Sequence, residues 1–171
     1  MKYMRKQKIV PLSNWSATLG LYGTAYRRPI VLCHGVFDIV HPGHLEHFRQ
    51  AKTKMPYQPL LIVAIVADAY VRKGPGRPVF DEQRRADFLA ELEIVDGVII
   101  LDSLGAVPAI EKIRPEIYAK GEEYANPNHP WFWDYIEEVK AVKAYGGRAI
   151  LTGEFTSSST KLIEALHNDR A

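Results

Sequence analysis

Five apolar runs punctuate the chain, and each is followed by a segment of mixed polarity with helical spacing. The runs are PIVLCHG (29–35), PLLIVAIVAD (59–68), VDGVIILD (95–102), EIYAKG (116–121) and RAILTG (148–153). They are continuous rather than alternating. A strand of that kind is covered on both faces, which is the pattern of parallel pairing. Between and after them, PGHLEHFRQAKTKM (42–55), FDEQRRADFLAELE (80–93), AVPAIEKIRP (106–115), WFWDYIEEVKAVKAYGG (131–147) and SSTKLIEALHN (158–168) read as helices. Asp81 is placed to cap the second helix, Pro115 to stop the third, and Gly146 to end the fourth. Alternating strands and helices with right-handed crossovers predict an α/β fold: a single doubly wound, five-stranded parallel sheet. Residues 1–28 read as an N-terminal arm, with a helix over 13–22, ahead of a domain spanning 29–171. The segment RKGPGRP (72–78) is too rich in proline and glycine for a strand and reads as a mobile loop carrying Arg72, Lys73 and Arg77.

Composition adds little to this picture but excludes much. A chain of 171 residues suits one core, and 47% hydrophobic with 25% charged residues is an ordinary globular balance. A net charge of +2 is too small to imply nucleic acid or a membrane surface as a partner. Cys33 is the only cysteine, so no intrachain disulfide can form and a reducing cytoplasm is the expected setting. The basic N-terminus lacks the apolar core of a signal peptide, and no run is long enough to cross a bilayer.

The chemistry concentrates where the first strand becomes the first helix. His34, His41, His44 and His47 fall within CHGVFDIVHPGHLEHFRQ (33–50). In open parallel sheets, ligands bind beyond the carboxyl ends of the strands, which is where this stretch lies. Gly35 and Gly43 let backbone approach a ligand. A helix starting near Pro42 aims free N–H groups at the same space and favours an anion such as phosphate. His41 and His44 can add donors for charge that grows as a bond to phosphorus breaks. A metal is the rival reading. Positions three apart on a helix diverge by about 60°, so two imidazoles could share zinc but three would not converge. No cysteine pair or H-E-x-x-H pattern supports such a site. His47 reads as a packed or surface histidine, and His34 as a packed one with a hydrogen-bond partner.

The segment GVFDIVHPGH matches the G-x-F-D-x-x-H-x-G-H signature at Gly35, Phe37, Asp38, His41, Gly43 and His44. In this it resembles the cytidylyltransferase-like nucleotidyltransferases. KGPGRPVFDEQRRADFLAELEIVDGVI and IRPEIYAKGEEY resemble the adenylyltransferase part of bacterial ADP-heptose synthases and their single-domain relatives. TSSSTKLIEAL resembles the family's serine/threonine motif at a helix start.

The resemblance implies a Rossmann-like fold and a reaction. A phosphorylated sugar or polyol attacks the α-phosphate of ATP or CTP, pyrophosphate leaves, and Mg2+ accompanies the nucleotide. ATP is preferred, with an activated glycan precursor as product. A cytidylyltransferase for glycerol phosphate or another small phosphorylated acceptor is the alternative, and a nucleotide-binding sensor without turnover is a third reading. By motif matching, His41, His44 and Lys73 are the catalytic candidates. Gly35, Val36, Phe37, Asp38, Gly43, Arg85, Lys120, Gly121, Ser158, Ser159 and Thr160 are the nucleotide-binding ones. The resemblance supplies no metal ligand from the protein. Asp38 is left open among three roles: orienting a histidine, holding loop backbone, or meeting the metal. Arg84 reads as an exposed charge, and the aromatic group Trp131, Phe132, Trp133 and Tyr135 as core or, alternatively, as the lining of an interface or the acceptor site. A homodimer is compatible with the family. Two features depart from it. Glu122 and Glu123 stand where heptose-type relatives show glycine and aspartate, and EFTSSST lacks the R-T-x-G-I opening of glycerol-3-phosphate cytidylyltransferases.

Overall fold

A computed structural model describes residues 8–15 and 28–153. Five strands, Ile30–Gly35 (β1), Leu60–Val66 (β2), Gly97–Leu101 (β3), Ile117–Gly121 (β4) and Arg148–Thr152 (β5), form one sheet in the order β3-β2-β1-β4-β5. Every pairing is parallel. The order reverses between β1 and β4. The crevice beyond the C-terminal ends of those two strands is therefore the favoured ligand position.

Four α-helices lie among the described residues: Pro42–Thr53 (α1), Glu82–Glu91 (α2), Val107–Ile113 (α3) and Phe132–Lys143 (α4). Successive side chains of a strand point to opposite faces, and this period sorts β1 into two cores. Val31 and Cys33 pack with Phe48 and Ala51 of α1 and with Ala86 and Leu89 of α2. Ile30 and Leu32 pack with Ala109 and Ile110 of α3 and with Tyr135 and Val142 of α4. All seven residues of β2 are buried, which is why LLIVAIV carries no polar position. Burying each such side chain stabilises the fold by about 1.5–3 kcal/mol.

The sequence expectations for the strands match to within one or two residues, while the helices are shorter than their apolar patterns. Asp81 caps α2 as expected, accepting a hydrogen bond from Arg84 N at 2.8 Å. Arg84 itself is exposed and pairs with Asp81 at 3.0 Å. Helix α4 ends at Lys143, ahead of Gly146, which takes a φ of 86°.

Part of the N-terminal arm is built into the domain. Val98 N donates to Lys8 O at 2.8 Å, and Val10 N donates to Val98 O at 2.9 Å, so this stretch extends the β3 edge. Trp15 is buried in the α3/α4 core. The expected helix over 13–22 and the closing helix over 158–168 fall largely or wholly outside the described residues, as do Ser158, Ser159 and Thr160. No helix among the described residues is long and apolar enough to cross a membrane.

Candidate functional site

The crevice is built around the entry to α1. His41 is the N-cap, Pro42 is the first helical residue, Gly43 the second and His44 the third. Proline suits that position because the first N–H of a helix has no partner to lose. Phe37, between β1 and α1, takes a left-handed φ of 49°. That conformation costs a bulky residue about 1–2 kcal/mol. Burial of its ring offsets the cost: it lies 5.4 Å from the Phe48 ring and 5.0 Å, edge to face, from that of His44. Phe37 therefore backs His44 with its side chain and can offer a nucleotide only its backbone. A Cβ on Gly35 would lie 3.2 Å from the same ring, tighter than ordinary packing allows.

His41 and His44 stack with ring centroids 3.8 Å apart. His41 N donates to His44 Nδ1 at 3.3 Å. That bond assigns the His44 proton to Nε2, leaving an N–H donor on the far side of the ring. Burial holds the His44 pKa down to about 3, aided by the charges of His41, His47 and Lys73. His41 is also lowered, by desolvation and then by Lys73. At neutral pH the pair is thus two uncharged imidazoles at the positive end of a helix, with Lys73 close enough to act on both. Lys73 is pulled below the usual lysine range by desolvation and then by Arg77, with Asp38 acting the other way. Lys73 sits on the loop whose turns are made by Gly74 and Gly76, at φ 89° and 71°.

Two nucleotide-binding candidates are held by the protein itself. Asp38 is buried. Its Oδ1 accepts from Val79 N at 2.7 Å and Phe80 N at 3.2 Å, and its Oδ2 accepts from Arg77 Nε at 2.5 Å. Of the three roles left open by the sequence, the structure shows loop backbone. Arg85, only 2% exposed, is bonded on all sides to the protein. Its Nη1 donates to Val36 O at 2.6 Å, its Nε to Phe80 O at 3.0 Å, and its Nη2 to Val66 O at 2.9 Å and Asp68 Oδ1 at 2.6 Å. It ties the histidine loop, the end of β2 and the start of α2 together from behind.

Lys120 lies on the α4 side of the crevice, buried against His34 and Glu138 and 4.2 Å from the Tyr124 ring centroid. Gly121 ends β4, and a Cβ there would collide with the Glu123 carboxylate. His47 joins α1 to β5 through Thr152, Nδ1 to Oγ1 at 2.5 Å, and the Thr152 hydroxyl donates onward to Lys120 O at 3.1 Å. The aromatic group is split: Tyr135 is core, Trp131 lines the crevice, and Trp133 is 74% exposed. Arg77 reads from the sequence only as a loop cation, and Thr152 escaped the sequence reading. Their partners are 39 and 105 residues away, and nothing local marks them.

The buried imidazoles make a pH prediction. Both titrate near pH 6.5 in an unfolded chain. Folding lowers His44 to about 3 and, through burial and then Lys120, His47 to about 4. In that window the unfolded chain binds more protons, so stability is complete above about pH 6.5 and falls as pH drops toward about 4. Thermal midpoints should decline over that range, and His47→Gln should flatten part of the decline. A flat wild-type profile would show that both rings take up protons freely in the fold.

A sequence model described as cytidylyltransferase-like matches residues 32–165. The chain is 34% identical over 140 residues to the bifunctional protein HldE of Geotalea uraniireducens, in a match covering 80% of this chain and 26% of that protein. It is 36% identical over 134 residues to the bifunctional protein HldE of Hyphomonas neptunium, covering 77% of this chain and 26% of that protein. The chain thus spans about a quarter of the length of these curated relatives. A lipopolysaccharide core biosynthesis protein from Thermoplasma volcanium superposes with a TM-score of 0.57 at 24% identity, over 76% of this chain and 98% of that one. That likeness is one of fold.

Proposed function

The chain belongs to the cytidylyltransferase-like family, and from that membership we propose that it transfers a nucleoside monophosphate from a nucleoside triphosphate to a phosphorylated sugar or polyol. The observation that carries the reading is the stacked, uncharged His41–His44 pair at the start of α1, with Lys73 beside it. The acceptor's phosphate oxygen attacks the α-phosphorus. The bridging oxygen between the α- and β-phosphates leaves with its electron pair as pyrophosphate, and a new P–O–P link remains in the product. A phosphate is already a nucleophile at neutral pH, so the protein's work is positioning and charge stabilisation. His44 Nε2–H and the Gly43 N–H at the start of α1 stabilise the equatorial oxygens of the five-coordinate phosphorus. Lys73 neutralises the triphosphate. By motif resemblance alone, Ser158, Ser159 and Thr160 are assigned to the β- and γ-phosphates.

Magnesium enters as part of the nucleotide substrate. Mg2+ characteristically keeps waters and substrate phosphates as ligands. ATP is the preferred nucleotide and a phosphorylated sugar the preferred acceptor, because KGPGRPVFDEQRRADFLAELEIVDGVI and IRPEIYAKGEEY resemble the adenylyltransferase part of ADP-heptose synthases. The product would serve as an activated glycan precursor.

Pyrophosphate release from ATP and CTP, each paired with a panel of sugar, polyol and amino-alcohol phosphates, tests the proposal, with mass analysis of the product. Release with ATP and a sugar phosphate is the expected result. Tight nucleotide binding with no release under any pairing would replace the enzyme with a sensor.

A further inference from the structure

We propose that His34 reads the acceptor: its Nε2–H donates a hydrogen bond to an oxygen of the phosphorylated sugar. The inference rests on the nucleotidyltransferase reading above and extends it to a residue that lies outside the family signature.

His34 stands near the end of β1, on the face covered by α4. Its Nδ1 lies 3.1 Å from Lys120 Nζ. A lysine ammonium has donors and no acceptor, so Nδ1 accepts and the ring proton belongs to Nε2. Glu138 Oε1 is also near Nδ1, but at 3.5 Å, and it already accepts from Ala106 N at 2.8 Å. Glu138 Oε2 accepts from Tyr118 Oη at 2.6 Å. These contacts hold Lys120 and Glu138 in place, and through them they fix the imidazole plane and tautomer. Burial and the Lys120 charge keep the ring neutral.

The other nitrogen is different. His34 Nε2 is buried and has no hydrogen-bond partner among the described residues. An unpartnered buried donor costs about 1–3 kcal/mol, so such groups call for a function. His34 lines a cleft that begins at Gly35, Val36 and Lys73 and runs to Tyr124 and Trp131. The first three residues border the phosphate cradle. The last two lie on the α4 side, across the sheet from α1. A triphosphate on the α1 N-terminus leaves this cleft to the second reactant, whose phosphate must meet the α-phosphorus at the shared rim. A neutral N–H between aromatic walls suits a sugar hydroxyl or ring oxygen.

Two variants separate binding from structure. His34→Asn keeps an acceptor facing Lys120 and removes the outer donor. His34→Gln carries an N–H close to the position of Nε2. Binding of ATP, and of mannose 1-phosphate and a heptose 1-phosphate in the presence of a non-hydrolysable ATP analogue, is measured on each folded variant. The expected result is that His34→Asn weakens sugar phosphate binding by about 5- to 100-fold with ATP affinity unchanged, and that His34→Gln recovers part of the loss. Equal sugar phosphate affinity in His34→Asn and wild type overturns the inference, and so does an equal loss of ATP and sugar phosphate. Wild-type protein that binds ATP but neither sugar phosphate overturns it while leaving the nucleotide reading standing. Protein that binds none of the three overturns both.

Discussion

His44→Ala should lower kcat by about 10²–10³, the effect of removing one preorganised donor from a charge-developing transition state. The imidazole is prepared for that task before any substrate arrives. His41 N fills its Nδ1 at 3.3 Å, the Phe37 ring supports its edge, and burial keeps it uncharged. Donors that are already oriented need no reorganisation when the phosphorus becomes five-coordinate, which is why their loss falls on kcat. The fold should survive, because alanine suits a helix interior and the bond removed is one of several at that helix end. Single-turnover pyrophosphate release, beside a thermal melt, checks both halves. His47→Ala, one turn further on, should leave kcat nearly intact, because that ring is committed to Thr152 rather than to the crevice. Unchanged turnover in His44→Ala would remove the residue from the mechanism.

Arg85→Met should cost about 3–5 kcal/mol of folding stability, the range for removing one member of a buried charged network. Methionine can fill much of the volume but none of the hydrogen bonds. The carbonyls of Val36, Val66 and Phe80 would lose a donor at 2.6–3.0 Å. Asp68 would lose its guanidinium partner at 2.6 Å. Arg85→Lys should recover little, since an ammonium cannot present a planar fork to partners in different directions. The denaturant midpoint measures the effect. A loss below about 1 kcal/mol, the scale of a surface substitution, would show that the strut is dispensable. Nucleotide affinity should fall with stability in Arg85→Met, because Val36 belongs to the loop that leads to His41.

How much of this was legible in advance differs by element. Parallel strands buried on both faces must be apolar throughout, so PLLIVAIVAD marked β2 by composition alone, and all seven residues of the strand are indeed buried. Helix α2 was marked by Asp81, whose carboxylate meets a backbone N–H only three residues on. The histidine pair was visible as a motif because its geometry is local too: an N-cap and the third helical residue always lie side by side. These features share one physical basis. Burial on a regular element, and bonds within one helical turn, depend on spacing along the chain, and spacing is what a sequence displays.

Asp38, Arg85 and His34 belong to the other class. The sequence placed Asp38 in the signature but could not choose its partner, which proved to be backbone about 40 residues later. It offered Arg85 as a phosphate ligand and gave no sign of the distant carbonyls that bond its guanidinium. It gave His34 no role, because neither Lys120 nor Glu138 is near it in the chain, being 86 and 104 residues away. The fold class and the helix start that carries the His41–His44 pair were therefore determined by the amino-acid pattern alone. Which buried polar groups find protein partners and which do not was decided only when the sheet brought distant donors and acceptors within 3 Å or so, since a hydrogen bond is a short-range, directional interaction that chain spacing does not encode.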